Sequence, residues 1–174
     1  VLFRKGVAQN YEYSVSGGGE KGRVYASVAY SDQQGMTTIE YLTRFSATVN
    51  GEAKVNKYVK VGGNLQYSRT SQSGHQENHS KDDPYTIWKK SLNPRWPYAY
   101  ADGTLYTEQW ISGVTSVNPI TYYDKQITDA KQNRLLLKGW MQVNFTDWLT
   151  AKSTISNDWL NVHDRFGWLE GHPN

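Results

Sequence analysis

Residues Gln9 to Gly35 read "QNYEYSVSGGGEKGRVYASVAYSDQQG", two short segments in which every second residue is apolar. That period is the period of a β-strand, whose successive side chains point to opposite faces. Tyr11, Tyr13 and Val15 share one face of the first segment; Val24, Ala26, Val28 and Tyr30 share one face of the second. Gly17–Gly22 lies between them, and its glycines are expected to supply the positive φ of a tight hairpin. The rhythm recurs four more times along the chain. Strands are expected near 10–17, 23–31, 43–50, 59–68, 133–144 and 149–158. The fifth carries Leu135, Leu137, Gly139, Met141 and Val143 on its apolar side, with Leu136 and Trp140 as exceptions on the other. The tail "VHDRFGWLEGHPN" reads as another loop.

The charges sort with the rhythm. Glu12, Arg23, Arg44, Lys60, Arg134, Lys138 and Lys152 all have the polar parity. Arg69 has the apolar parity and is read as lying at a strand end. A membrane on one side and water on the other produces such sorting, because a lysine or arginine facing lipid costs about 2–4 kcal/mol at the bilayer midplane. A β-sandwich core also rejects charge, so parity alone leaves both readings open. The rings add a further signal. With the short turns at one end, Tyr11, Tyr30, Tyr41, Phe45, Tyr67 and Trp159 lie toward the opposite end, and Tyr58, Phe145 and Trp148 lie at the turns. Between these bands the apolar face holds small or aliphatic residues such as Val15, Ala26, Val61, Gly63 and Leu137. Two aromatic bands around an aliphatic middle match the girdles of membrane barrels.

Composition excludes several classes. There is no cysteine, and no run of about 18 apolar residues for a transmembrane helix. The net charge of +3 is small, and no lysine/arginine stripe marks a nucleic-acid face. No nucleophile elbow, phosphate-cradling glycine loop or acid–base pair is present, so no enzymatic activity is expected. The first ten residues lack a signal-peptide pattern.

Residues 70–131 break the rhythm. They hold four of the five prolines and read as one long loop, a length usually associated with function. Trp88, Trp96, Tyr98, Tyr100, Tyr106 and Trp110 are its candidate contacts for a substrate or a partner; mutual packing that stiffens the loop is the plainer reading for any single ring. "HQENH" places His75 and His79 four apart, but its glutamate is one position out for the H-E-x-x-H metal motif. Asp82 and Asp83 add carboxylates of the calcium-binding kind. A solvated loop is the preferred account of all four, so no metal or other cofactor is assigned.

Two stretches, "QNYEYSVSGGGEKGRVYASVAYSDQQGM" and "RFSATVNGEAKVNKYVKVGGNLQYSRT", resemble the opening barrel strands of SusC/RagA-type TonB-dependent outer-membrane transporters. "YADGTLY", "NPI" and "FTDWLTAKSTIS" are similar to that family's following loop and hairpin. The resemblance implies an all-β fold: about six antiparallel strands of a 22-stranded transmembrane barrel, with a long extracellular loop and without the plug domain. It implies a fragment, 1–174, of a receptor in the outer membrane of a Gram-negative bacterium. It also implies import of an oligosaccharide or peptide, a SusD-like surface lipoprotein as lid, and a TonB contact outside this chain. The charged face would then line the lumen, and the apolar face would meet membrane lipid. Two alternatives stand beside this one: a secreted, aromatic-rich β-sandwich that binds carbohydrate, and a surface protein with no ligand.

Overall fold

The computed structural model describes residues 4–74, 99–104 and 125–170. These residues form one antiparallel sheet of six strands: β1 (Val7–Gly19), β2 (Gly22–Gln34), β3 (Tyr41–Lys54), β4 (Val59–Ser73), β5 (Gln126–Asn144) and β6 (Thr150–Trp168). Their spatial order is their order in sequence, β1 to β6, so every strand pairs with its chain neighbours. Three tight turns lie at one end of the sheet. At the other end β2 passes to β3 through 35–40, and there too β4 ends at Ser73 and β5 begins at Gln126.

The tight turns have identifiable causes. Between β3 and β4, Asn56 Oδ1 accepts the backbone N–H groups of Tyr58 and Val59, each at 2.8 Å. Between β5 and β6, Thr146 Oγ1 accepts the Leu149 N–H at 3.1 Å. The two turns share one backbone pattern, with Val55 N bonded to Val59 O and Phe145 N to Leu149 O. Both place an aromatic residue, Tyr58 or Trp148, just before the returning strand. A side-chain oxygen that replaces a backbone acceptor makes such a turn cheap to form. Asn56→Ala should therefore destabilise the full-length protein by about 1 kcal/mol, read as a lower urea midpoint with an unchanged slope.

The β1–β2 turn corrects one expectation. Among the described residues only Gly74 and Gly103 have positive φ, so Glu20–Lys21 closes its hairpin without any left-handed glycine. The glycines serve close approach instead. A Cβ at Gly18 would lie 2.8 Å from the Gly22 carbonyl oxygen, and one at Gly22 would lie 2.7 Å from that of Glu52.

The strands are also longer than the sequence suggests. Both ends of the interval 70–131 belong to strands: β4 runs to Ser73, and β5 starts at Gln126. Most of the remaining interval lies outside the described residues. The tail read as a loop is strand as far as Trp168, and Leu169 N–H still bonds to Lys125 O at 2.8 Å. Arg69 sits inside β4, opposite Phe45 and Asn133, not at a strand end. At the longer β2–β3 connection Arg4 acts as a clamp. Its backbone N–H bonds to Met36 O, and its guanidinium donates to the carbonyls of Gly35 and Glu40.

This sheet has no core of its own. Among the described residues Thr37 alone is buried, at 6% exposure. Tyr13, Val15 and Ile155 remain 72%, 69% and 78% exposed. The described strands make a single sheet, with no second layer over the apolar face. That disagrees with the sandwich alternative, in which facing sheets bury their inner residues.

Candidate functional site

Register turns the period-two pattern into two continuous surfaces. Directly opposed residues share a face. On one face the ladder aligns Val15, Ala26, Val49, Leu65 and Leu137 in a row. The next row toward the tight turns is Gly17, Val24, Gly51, Gly63, Gly139 and Ile155. Tyr11, Tyr30 and Phe45 align at the far edge of this belt, and Tyr67 lines up with Leu135 and Trp159 one row lower. At the near edge Tyr58, Phe145 and Trp148 are exposed, Trp148 by 82%. On β4 the belt runs from Val59 to Tyr67, about nine residues, the length with which a tilted strand crosses a bilayer core. Between the edge row of Tyr11, Tyr30 and Phe45, which Arg69 shares, and the tight turns, no charged residue lies on this face.

The opposite face carries the charges. Arg23 is directly across from Glu52, and Arg23 Nε lies 2.8 Å from Glu52 Oε1. Arg134 reaches Asp158 with two parallel bonds, Nε to Oδ1 at 2.9 Å and Nη2 to Oδ2 at 2.5 Å. Lys152 Nζ lies 4.6 Å from the Trp140 ring centroid. Asn64 donates to Asn50, its directly opposed neighbour. Lys138 stands in the row of Asn64 and Ser156, and Lys60 is opposed by Lys54 and Gln142. Arg44 is opposite Ser31 and Thr70. Glu12 stands apart at the β1 edge, opposite Ala29. Among the described residues no ion pair joins Glu12 to the cations of this face, where Arg23 pairs with Glu52 and Arg134 with Asp158.

Trp140, an apparent exception to the alternation, has a structural explanation. It is directly opposite Gly62, where a Cβ would fall 2.5 Å from the indole ring. The ring lies over a glycine because only a glycine leaves room for it. A hollow of about 840 Å³ opens above this face, lined by Arg23, Tyr25, Glu52, Lys138, Trp140 and Lys152 among others. Its chemistry is that of a wet, cationic and hydrogen-bonding wall. It offers polar grip without a nucleophile poised beside a base.

A charge swap tests the Arg134–Asp158 contact. Arg134→Asp alone should lower the folded fraction of the full-length protein, because two carboxylates then face each other. Adding Asp158→Arg should restore it, read by the gel mobility of unheated samples.

The loop candidates divide. Trp88, Trp96, Tyr98, Tyr106 and Trp110 lie outside the described residues, as do His75, His79, Asp82 and Asp83. Tyr100 is described and sits in a tight turn, where Gly103 N–H donates to its carbonyl and its own N–H donates to Thr104 O. Asp102 caps that turn by accepting the Thr104 N–H at 2.9 Å, and this bond, helped by the Thr104 side chain, holds its carboxyl below the usual value.

Among the described residues, an open antiparallel sheet with a ring-bounded apolar belt on one face and a charged face behind it has the pattern of a β-barrel wall. No family model matches the chain. A TonB-dependent receptor, P39, of Formosa agariphila is 23% identical over 164 residues, covering 92% of this chain and 15% of the relative. The solved structure of the RagAB peptide transporter superposes with a TM-score of 0.73 at 22% identity, covering 92% of this chain and 18% of that one. The closed-closed state of the RagAB peptide importer gives 0.72 at 23% identity. The open-open state gives 0.66 at 22%, over 88% of this chain and 17% of that one. Sequence and fold comparisons thus agree with the resemblance to SusC/RagA-type TonB-dependent transporters. The chain spans less than a fifth of the length of these proteins.

Proposed function

We propose that this chain is part of the barrel wall of an outer-membrane importer of the TonB-dependent, SusC/RagA type. One observation carries the reading: a belt that excludes charge, is edged by aromatic rings, and is left uncovered by the rest of the described sheet. Hydrocarbon covers such a belt at no desolvation cost, and the rings favour the headgroup level. The charged face then borders the lumen, and the tight turns face the periplasm. The longer connections face outward, where they shape the mouth and meet a SusD-like lipoprotein. Energy coupling through TonB falls to parts of the protein beyond this chain. The cargo is an oligosaccharide or a peptide. Its passage needs no chemistry from this wall, which supplies polar contacts and no catalysis.

Cell fractionation together with uptake tests the reading. The full-length protein should be recovered in the outer membrane and need detergent for release. Cells lacking it should lose uptake of a labelled peptide or oligosaccharide mixture, and the lost class identifies the cargo. Recovery in the soluble fraction would overturn the proposal.

A further inference from the structure

Directly above the apolar belt, at the end away from the tight turns, the same face changes character on β4, β5 and β6. Arg69 lies one row beyond Tyr67, opposite Asn133, which is opposite Asn161. The next row is Ser71, Lys131 and His163, and the one beyond it is Ser73, Asp129 and Arg165. Arg69, Lys131 and Arg165 therefore form a diagonal across three adjacent strands. Diagonal neighbours in a sheet stand about 7–8 Å apart, within reach of long side chains converging on one group. One carboxylate belongs to the cluster: Asp129 Oδ2 lies 3.2 Å from Lys131 Nζ, and Asp129 is directly opposite Arg165. Three cations against one carboxylate leave a positive excess, with His163 directly across from Lys131. Among the described residues neither Arg69 nor Arg165 has an ion-pair partner. On β1–β3 the level of Lys131 carries Gln9, Asp32 and Thr43 instead, so the cationic ground is local to β4–β6.

We propose that Arg69, Lys131 and Arg165 bind the phosphate of an anionic lipid headgroup in the outer leaflet. The inference rests on the outer-membrane reading, which sets this face against lipid. Continuity decides the occupant. The diagonal begins at Arg69, one row, about 7 Å, above Tyr67 and level with the edge rings Phe45, Tyr30 and Tyr11, and rises from there to the level where headgroup phosphates stand and acyl chains end. Arginine forks match phosphate oxygens in pairs, and a cation near an anionic surface contributes about 1 kcal/mol.

The test uses the full-length receptor in phosphatidylcholine vesicles that contain a bisphosphorylated glucosamine lipid, lipid A. Lipid retained after detergent exchange is counted by native mass spectrometry. Wild type should retain lipid A. The triple variant R69Q/K131Q/R165Q should lose it about tenfold or more, while R69K and K57Q, the latter at the opposite edge of the belt, retain it. Equal retention by wild type and the triple variant would overturn the proposal, and so would an inserted wild type that retains none. A receptor that never inserts would instead overturn the outer-membrane reading, and this site with it.

Discussion

Leu137→Arg is expected to cost the full-length barrel up to about 4 kcal/mol of folding free energy in a bilayer, whereas Leu136→Arg, one residue away, is expected to be nearly silent. Leu137 lies opposite Leu65, in a row with Val49 and Ala26 near the middle of the belt. A guanidinium placed there meets acyl chains and has to snorkel to reach water. Leu136 has the other parity. It is opposite Gln66 and Asp158 and lines the hollow of the charged face, where an arginine finds water and a carboxylate. Urea titration of the folded fraction in lipid vesicles measures both. Equal effects at the two positions would mean that both faces see the same medium.

Gly62→Val should be the next most damaging change. Its Cβ would fall 2.5 Å from the Trp140 ring, so the indole must leave its place over the glycine. The barrel would lose the Lys152–Trp140 contact and gain the strain of overpacking, together about 1–3 kcal/mol. Gly139→Val provides the contrast. A Cβ at Gly139 meets nothing within 4 Å, and the position faces the belt. That substitution adds apolar surface toward lipid and should leave stability unchanged or slightly higher. Unfolding midpoints, followed by Trp140 emission with the other tryptophans replaced by phenylalanine, compare the two. Damage at Gly139 equal to that at Gly62 would contradict the assignment of faces.

Much of this architecture was legible in the residues because a single physical rule wrote both the sequence and the sheet. Between Tyr11 and Tyr67, and again from Leu135 to Trp159, the belt demands alternation, and alternation can be read without a structure. Beyond the belt the rule changes. On β6 the apolar residues shift parity, so that Leu160, Val162, Phe166 and Trp168 take the even positions while Asn161, His163 and Arg165 take the odd ones. The shift hid the outer half of β6; under the proposed outer-membrane reading, a strand that has left the bilayer no longer needs an apolar outer face. Arg69 looked like a strand end for the same reason, as a charge just past the last ring. The ion pairs were hidden differently. Arg23 meets Glu52, and Arg134 meets Asp158, only through cross-strand register, and no local pattern encodes which residue of a distant strand stands opposite. Gly62 and Trp140 show the same limit. Each looked like an irregularity alone, and only the ladder makes them one feature.

Fluorophores attached one at a time at Val61, Leu137 and Leu136 of the whole receptor, reconstituted with brominated phospholipid, test the central claim most directly. The account predicts strong quenching at Val61 and Leu137 and little at Leu136. Weak quenching at Val61 and Leu137, or equal quenching at all three, would contradict it.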